Sequence, residues 1–120
     1  MRWQDDAVAV HFRGGQAMAQ LLATGVALDA VFAASDLIAL GAMKALRAHG
    51  LKVPEQVAVA GFDDIAMASF AQPGLSTVQQ DTKLAGEVLV DSLIRLIHGD
   101  PVESRTLPVK LVLRGSTRAG

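Results

Sequence analysis

Val57-Ala58-Val59-Ala60-Gly61-Phe62-Asp63-Asp64 is the stretch that decides the fold. It opens on small apolar residues without charge, bends at a glycine, adds one aromatic and ends on two carboxylates. A short, valine-rich, uncharged run suits a strand buried on both faces of a sheet, because a strand with one wet face would alternate. The acids then emerge from the C-terminal end of that strand. In open α/β sheets ligands bind outside that edge.

Toward the N-terminus the same rhythm repeats. Leu51–Gln56 is a loop around Pro54. Before it, residues 37–49 are apolar over most of their girth, with Lys44 and Arg47 three apart on one face, and Gly50 follows as a C′ residue. Ser35 or Asp36 caps this helix. A helix so widely apolar has more than one partner: the sheet, and a second subunit. Asp29–Ala34 reads as another short strand. Gln16–Thr24 reads as a helix with Met18, Leu21 and Leu22 on one face and Gly25 beyond its end. His11–Gly15 reads as a loop, Ala7–Val10 as a short strand, and residues 1–6 as a frayed polar start.

Toward the C-terminus, Ile65–Phe70 suits one helical turn, Gln72-Pro73-Gly74 breaks the chain, and Leu75–Gln79 suits a fourth strand. Asp81 or Thr82 caps a long helix over residues 83–98. Glu87, Asp91, Arg95 and His98 form its polar stripe, and Leu89, Val90, Leu93, Leu96 and Ile97 its apolar side. Residues 106–114 alternate, and Pro108 places that strand at an edge. Strand and helix alternate in units of about thirty residues, the βαβ pattern, whose right-handed crossovers make the strands parallel. The fold class is therefore α/β.

The bulk composition narrows the function. Eleven basic and twelve acidic residues leave a net charge of −1, with no basic block to serve as an electrostatic footprint for nucleic acid. Cysteine is absent, which removes disulfides and thiolate chemistry and fits a reducing, cytoplasmic compartment. No apolar h-region follows Met1, and no apolar run approaches the roughly 20 residues of a membrane span. Charged residues make up 19% of the chain against a usual quarter, which points to surface buried against another body.

Several side chains converge on one sheet edge. Asp63 and Asp64 follow one strand, Ser35 and Asp36 another, and Phe12 precedes the first helix. Asp63-Asp64 reads either as a ligand-accepting carboxylate or as an Asx turn. With Asp36 the pair could also hold Mg²⁺ for phosphoryl transfer, but that chemistry wants a lysine after a strand at this edge, and none is there. Ser35 is a helix cap that can still face a cleft. Phe12 is either core or a stacking platform. His11, His49 and His98 have no metal-ligand spacing, and GxSxG, GxGxxG and GxxxxGK[ST] are all missing. No catalytic constellation, metal site or cofactor site is expected, and the chain reads as a non-enzyme.

Four blocks in order, Ala33-Ala34-Ser35-Asp36-Leu37-Ile38-Ala39-Leu40-Gly41-Ala42, Gly50-Leu51-Lys52-Val53-Pro54-Glu55, Val59-Ala60-Gly61-Phe62-Asp63-Asp64 and Leu75-Ser76-Thr77-Val78-Gln79-Gln80, resemble the effector-binding domain of LacI/GalR-type transcription regulators. The resemblance runs over residues 10–118. It implies a periplasmic-binding-protein-like, three-layer parallel-sheet sandwich, of which this chain is a C-terminal subdomain fragment. Residues 1–79 would belong to that subdomain, 80–99 to a crossover and a helix of the other subdomain, and 100–120 to an edge strand and tail. It also implies a sugar or similar small polar effector in the cleft between subdomains, contacted here by Asp63, Ser35, Phe12 and Gln80. Family members commonly carry Asn where Ser35 stands. A homodimer would form through Leu40, Met43, Ala66, Met67 and Phe70. DNA would be reached only through a headpiece outside this chain, and no membrane is involved.

Overall fold

A strand of three residues cannot bury a core by itself, and the short strands of this chain are assembled by the helices and the tail around them. The computed structural model describes residues 3–118. In chain order the elements are α1 (Trp3–Ala23), β1 (Ala30–Phe32), α2 (Asp36–Ala48), β2 (Ala58–Ala60), α3 (Ala66–Phe70), β3 (Thr77–Gln80), α4 (Thr82–Ile97) and β4 (Val109–Val112). β1 and β2 pair in parallel, Ala30 against Ala58 through Phe32 against Ala60. A parallel bridge from Ala60 to Ser76 carries the sheet on to the start of β3. β3 then pairs antiparallel with β4, Thr77 against Val112 and Gln80 against Val109. The fourth strand is therefore parallel only at Ser76, and its remainder is one arm of an antiparallel ribbon.

The N-terminal third corrects the reading from sequence. Ala7–Val10 is not a strand and His11–Gly15 is not a loop; both lie inside the 21-residue helix α1. The two glycines explain the discrepancy. A Cβ at Gly14 would collide with the backbone of Ile38, and one at Gly41 with the carbonyl of His11 and, at 2.9 Å, the amide of Gly15. The glycines let α1 and α2 pack backbone to backbone, which outweighs the roughly 1 kcal/mol that glycine costs inside a helix. The second partner of α2 is thus α1 of the same chain.

The core is Met18, Ala33, Ala39, Leu40, Ala42, Met43, Leu46, Val57, Val59, Ala68 and Leu75, with Leu46, Val59 and Leu75 fully buried. Its residues come from α1, α2, α3, β2, the residues flanking β1 and β2, and the segment before β3. The tail closes it. The Ser116 amide donates to Gly74, its hydroxyl to the Val59 carbonyl at 2.6 Å, and that hydroxyl in turn accepts from the Ser76 amide at 2.8 Å.

α4 stands apart from this body. Asp81 caps it through the Leu84 amide at 2.9 Å, as its sequence suggests. Yet it has no buried residue, and Leu89, Leu93 and Ile97 are 70%, 57% and 73% exposed. Val109, Leu111 and Leu113 around β4 are exposed too. The radius of gyration is 17.6 Å, against about 13–14 Å for a compact chain of this length. No helix among the described residues is long and apolar enough to cross a membrane.

Candidate functional site

Two strand-to-helix turns meet at the C-terminal edge of the parallel strands. The first follows β1. Ser35 is extended (φ −150°, ψ 160°), and its hydroxyl accepts from the Ile38 amide at 3.3 Å, the N-cap of α2. Such a cap contributes about 1 kcal/mol. The second follows β2, where Gly61 leaves room for the first: a Cβ there would strike the Asp36 carboxylate. The Asp36 amide donates to the Phe62 carbonyl at 3.0 Å, which fixes one turn beside the other.

Asp63 and Asp64 both have positive φ, 110° and 53°. Left-handed backbone is uncommon outside glycine, though aspartate tolerates it better than most residues. Three neighbours hold the pair. The Asp63 amide donates to the Val78 carbonyl at 2.9 Å. The Asp64 amide donates to the Thr77 hydroxyl at 3.3 Å. The Ile65 amide donates to Asp36 Oδ2 at 2.8 Å.

The side chains then separate the two acids. Asp64, largely buried, has Oδ1 on Arg114 at 2.9 Å and Oδ2 on the Gln79 amide group at 2.9 Å. Its charge is compensated, and it serves the turn. Asp63 is exposed, and its Oδ1 accepts from Gln80 Nε2 at 2.8 Å. A carboxylate has about four acceptor positions, so Asp63 keeps capacity for a ligand hydroxyl. Ser35, Asp63 and Gln80 thus line one edge with a hydroxyl, a carboxylate and an amide. Such a set can both donate and accept hydrogen bonds, the chemistry that a polyhydroxylated neutral molecule would match.

Phe12 is not brought to this edge. It lies in the middle of α1, 62% exposed, over a groove shared with Lys44, Ala45 and Ala48 of α2. Ser35 is at the opposite end of α2, roughly 13 Å away along the axis at 1.5 Å per residue. The helical path of residues 7–15 carries the aromatic away from the strand ends. Leu40 and Met43, expected at a subunit interface, are 9% and 4% exposed and belong to the core of this chain. They form the floor of a groove whose rim is Met67 and Phe70 (81% exposed). Ala66 is exposed at the start of α3.

The Mg²⁺ arrangement does not assemble. Asp36 is 1% exposed, with one oxygen on Ile65 and the other on the Thr77 hydroxyl at 2.6 Å. Asp64 is occupied by Arg114. No group of three metal-ligating side chains occurs among the described residues.

Arg114 and Thr77 escaped the sequence reading. Arg114 also donates through Nη1 to the Leu75 carbonyl at 2.9 Å. The available signal was the run Arg114-Gly115-Ser116-Thr117, where polar residues interrupt the end of an alternating strand. In the sequence Thr77 is marked only as one residue of the fourth strand.

Residues 4–117 match the model of the periplasmic binding protein-like domain. The chain is 46% identical over 100 residues to the HTH-type transcriptional regulator CelR of Thermobifida fusca, covering 83% of this chain and 28% of that protein. It is 40% identical over 106 residues to a lactose operon repressor of Rhizobium radiobacter, covering 88% of this chain and 94% of that sequence. Among solved structures, a lac repressor dimer bound to operator and the anti-inducer ONPF superimposes with a TM-score of 0.83 at 39% identity, over 90% of this chain and 38% of that one. The chain spans about 30% of the length of the lactose operon repressor of Escherichia coli, to which it is 40% identical.

Proposed function

This chain belongs to the periplasmic-binding-protein-like family in its LacI-type regulator branch, and from that premise we propose that it senses a small neutral polyol, a sugar or close analogue, for a transcription regulator. The observation that carries the reading is the Asp36–Phe62 backbone bond, which places the Ser35 turn beside the Asp63 turn at the edge where such sheets bind ligands. Ser35, Asp63 and Gln80 form one wall of the cleft. The division of the chain follows from the same reading: residues 1–79 supply Ser35 and Asp63 of this wall, 80–99 cross to the other subdomain with Gln80 bordering the cleft at the crossing, and 100–120 return as the edge strand and tail. The exposed apolar side of α4 is then a surface made for that other subdomain.

In the whole regulator, ligand closes the cleft, and differential affinity for the closed and open forms shifts their populations. DNA is contacted by a headpiece outside these residues, so the protein works in the cytoplasm beside its operator. The dimer forms over the groove rimmed by Met67 and Phe70. No reaction is assigned to the chain.

Thermal unfolding against a panel of neutral pentoses and hexoses tests this. At a hundredfold excess over Kd, ligand stabilises a protein by about 2.7 kcal/mol, several degrees in Tm for a domain of this size. At least one neutral sugar raises Tm, Mg²⁺ does not, and Asp63→Asn removes the effect. Stabilisation by Mg²⁺ that Asp63→Asn abolishes would contradict the proposal.

A further inference from the structure

We propose that Thr77 is a positioning residue that sets the backbone of Asp63 by locking both turns of the site to one buried hydroxyl. The inference deepens the reading of Asp63 as a ligand contact and rests on it. Thr77 is fully buried at the start of β3. Its hydroxyl donates to Asp36 Oδ1 at 2.6 Å, in the turn after β1. The same hydroxyl accepts from the Asp64 amide at 3.3 Å, in the turn after β2. The second Asp36 oxygen takes the Ile65 amide at 2.8 Å. One hydroxyl and one carboxylate therefore clamp Asp64 and Ile65, immediately after Asp63, to the capped start of α2.

The clamp matters because the backbone it holds is unfavourable on its own. Two successive non-glycine residues at positive φ are unfavourable even for aspartate and persist only where surroundings over-determine them. Released, the turn would keep only the Asp63 amide bond to Val78 on this side, and Asp63 would sample extended backbone that takes its carboxylate off Gln80. Valine at position 77 keeps the shape and the strand propensity but offers no donor. It would leave Asp36 Oδ1 and the Asp64 amide without their partner, in a structure where no described buried side-chain polar atom lacks one.

Nuclear magnetic resonance of the 120-residue chain tests this without any ligand. In Thr77→Val, amide exchange at Asp64 and Ile65 speeds up by about tenfold, the scale of one lost hydrogen bond, relative to Ala33 and Val59 in the sheet. The HN–Hα coupling of Asp63 moves toward its extended-chain value, and Thr77→Ser restores both readouts. A merely structural threonine would accelerate all four amides alike and leave the coupling in place; that outcome, or a Thr77→Ser indistinguishable from Thr77→Val, overturns the proposal. Should Thr77→Val not fold, the unmodified chain decides. The Thr77 hydroxyl proton is expected to exchange slowly and to show a cross-peak to the Asp64 amide, and a fast-exchanging hydroxyl overturns the clamp. A null sugar titration with the clamp intact would count against the ligand reading alone, so the two failures are distinguishable.

Discussion

Gly41→Ala lowers the stability of the chain by up to about 2 kcal/mol in urea unfolding, although alanine is the better helix former. Propensity alone favours the substitution by roughly 1 kcal/mol. Packing opposes it. The new methyl would meet the His11 carbonyl, and lies 2.9 Å from the Gly15 amide before any relaxation. Those are backbone atoms of α1, so no side-chain rotation relieves the contact and the two helices must separate. Overpacking of this kind costs about 1–3 kcal/mol and sometimes more, so the steric effect decides the sign. Gly86→Ala is the internal control. It sits in α4 with nothing within 4 Å of a Cβ, and there the propensity gain of up to roughly 1 kcal/mol stands unopposed. Opposite signs at two helical glycines are the expected result. Equal signs would mean that α1 and α2 do not cross where Gly14, Gly15 and Gly41 place them.

Leu93→Glu with Ile97→Glu changes the association state of the chain. The unmodified chain is expected to elute and scatter as more than its 12.6 kDa, because α4 exposes Leu89, Val90, Leu93, Ile94, Leu96 and Ile97 together. Contiguous apolar surface beyond a few hundred Å² marks an interaction site. At about 25 cal/mol per Å², covering it is strongly favourable. Two carboxylates on that face make burial expensive and return the chain toward monomer. Neither residue packs in the core, so the folded body survives. Size-exclusion chromatography with light scattering reads the outcome; a clean monomer before substitution would count against an uncovered apolar face on α4.

The elements legible in the sequence are those whose signals are local. α2 announces itself by Ser35, its apolar girth and Gly50, whose φ of 74° is the left-handed C′ turn. The apolar side and aspartate cap of α4 were equally plain. β2 was read from a charge-free run. What stayed hidden depends on contacts distant in sequence. Gly14-Gly15 looks like a loop until α2 is laid against it, since only the crossing explains glycine inside a helix. Phe12 shares that fate, because its placement at the sheet edge rested on the same loop. The split between Asp63 and Asp64 came from family resemblance, and its physical basis lies in Arg114, fifty residues later. Thr77 could not be recognised as a clamp because nothing local marks which strand threonine faces a buried carboxylate. The antiparallel turn of β3 toward β4 likewise depends on the tail, where Arg114 and Ser116 anchor to Ser76 and Val59.

The central claim is that Ser35, Asp63 and Gln80 form one wall of a neutral-polyol site. Amide chemical-shift mapping of the chain against the same pentose and hexose panel tests it most directly. One wall leaves most of a ligand in water, so affinity in the millimolar range, about −4 kcal/mol, is expected, and titration must reach on the order of 100 mM. At least one sugar is predicted to shift the amides of residues 35–36, 62–65 and 79–81 with a common saturation curve, and Asp63→Asn to abolish it while the remaining spectrum is unchanged. If no sugar moves those amides at that concentration, or if the shifts fall instead along α1 and Phe12, the proposed wall of Ser35, Asp63 and Gln80 is contradicted.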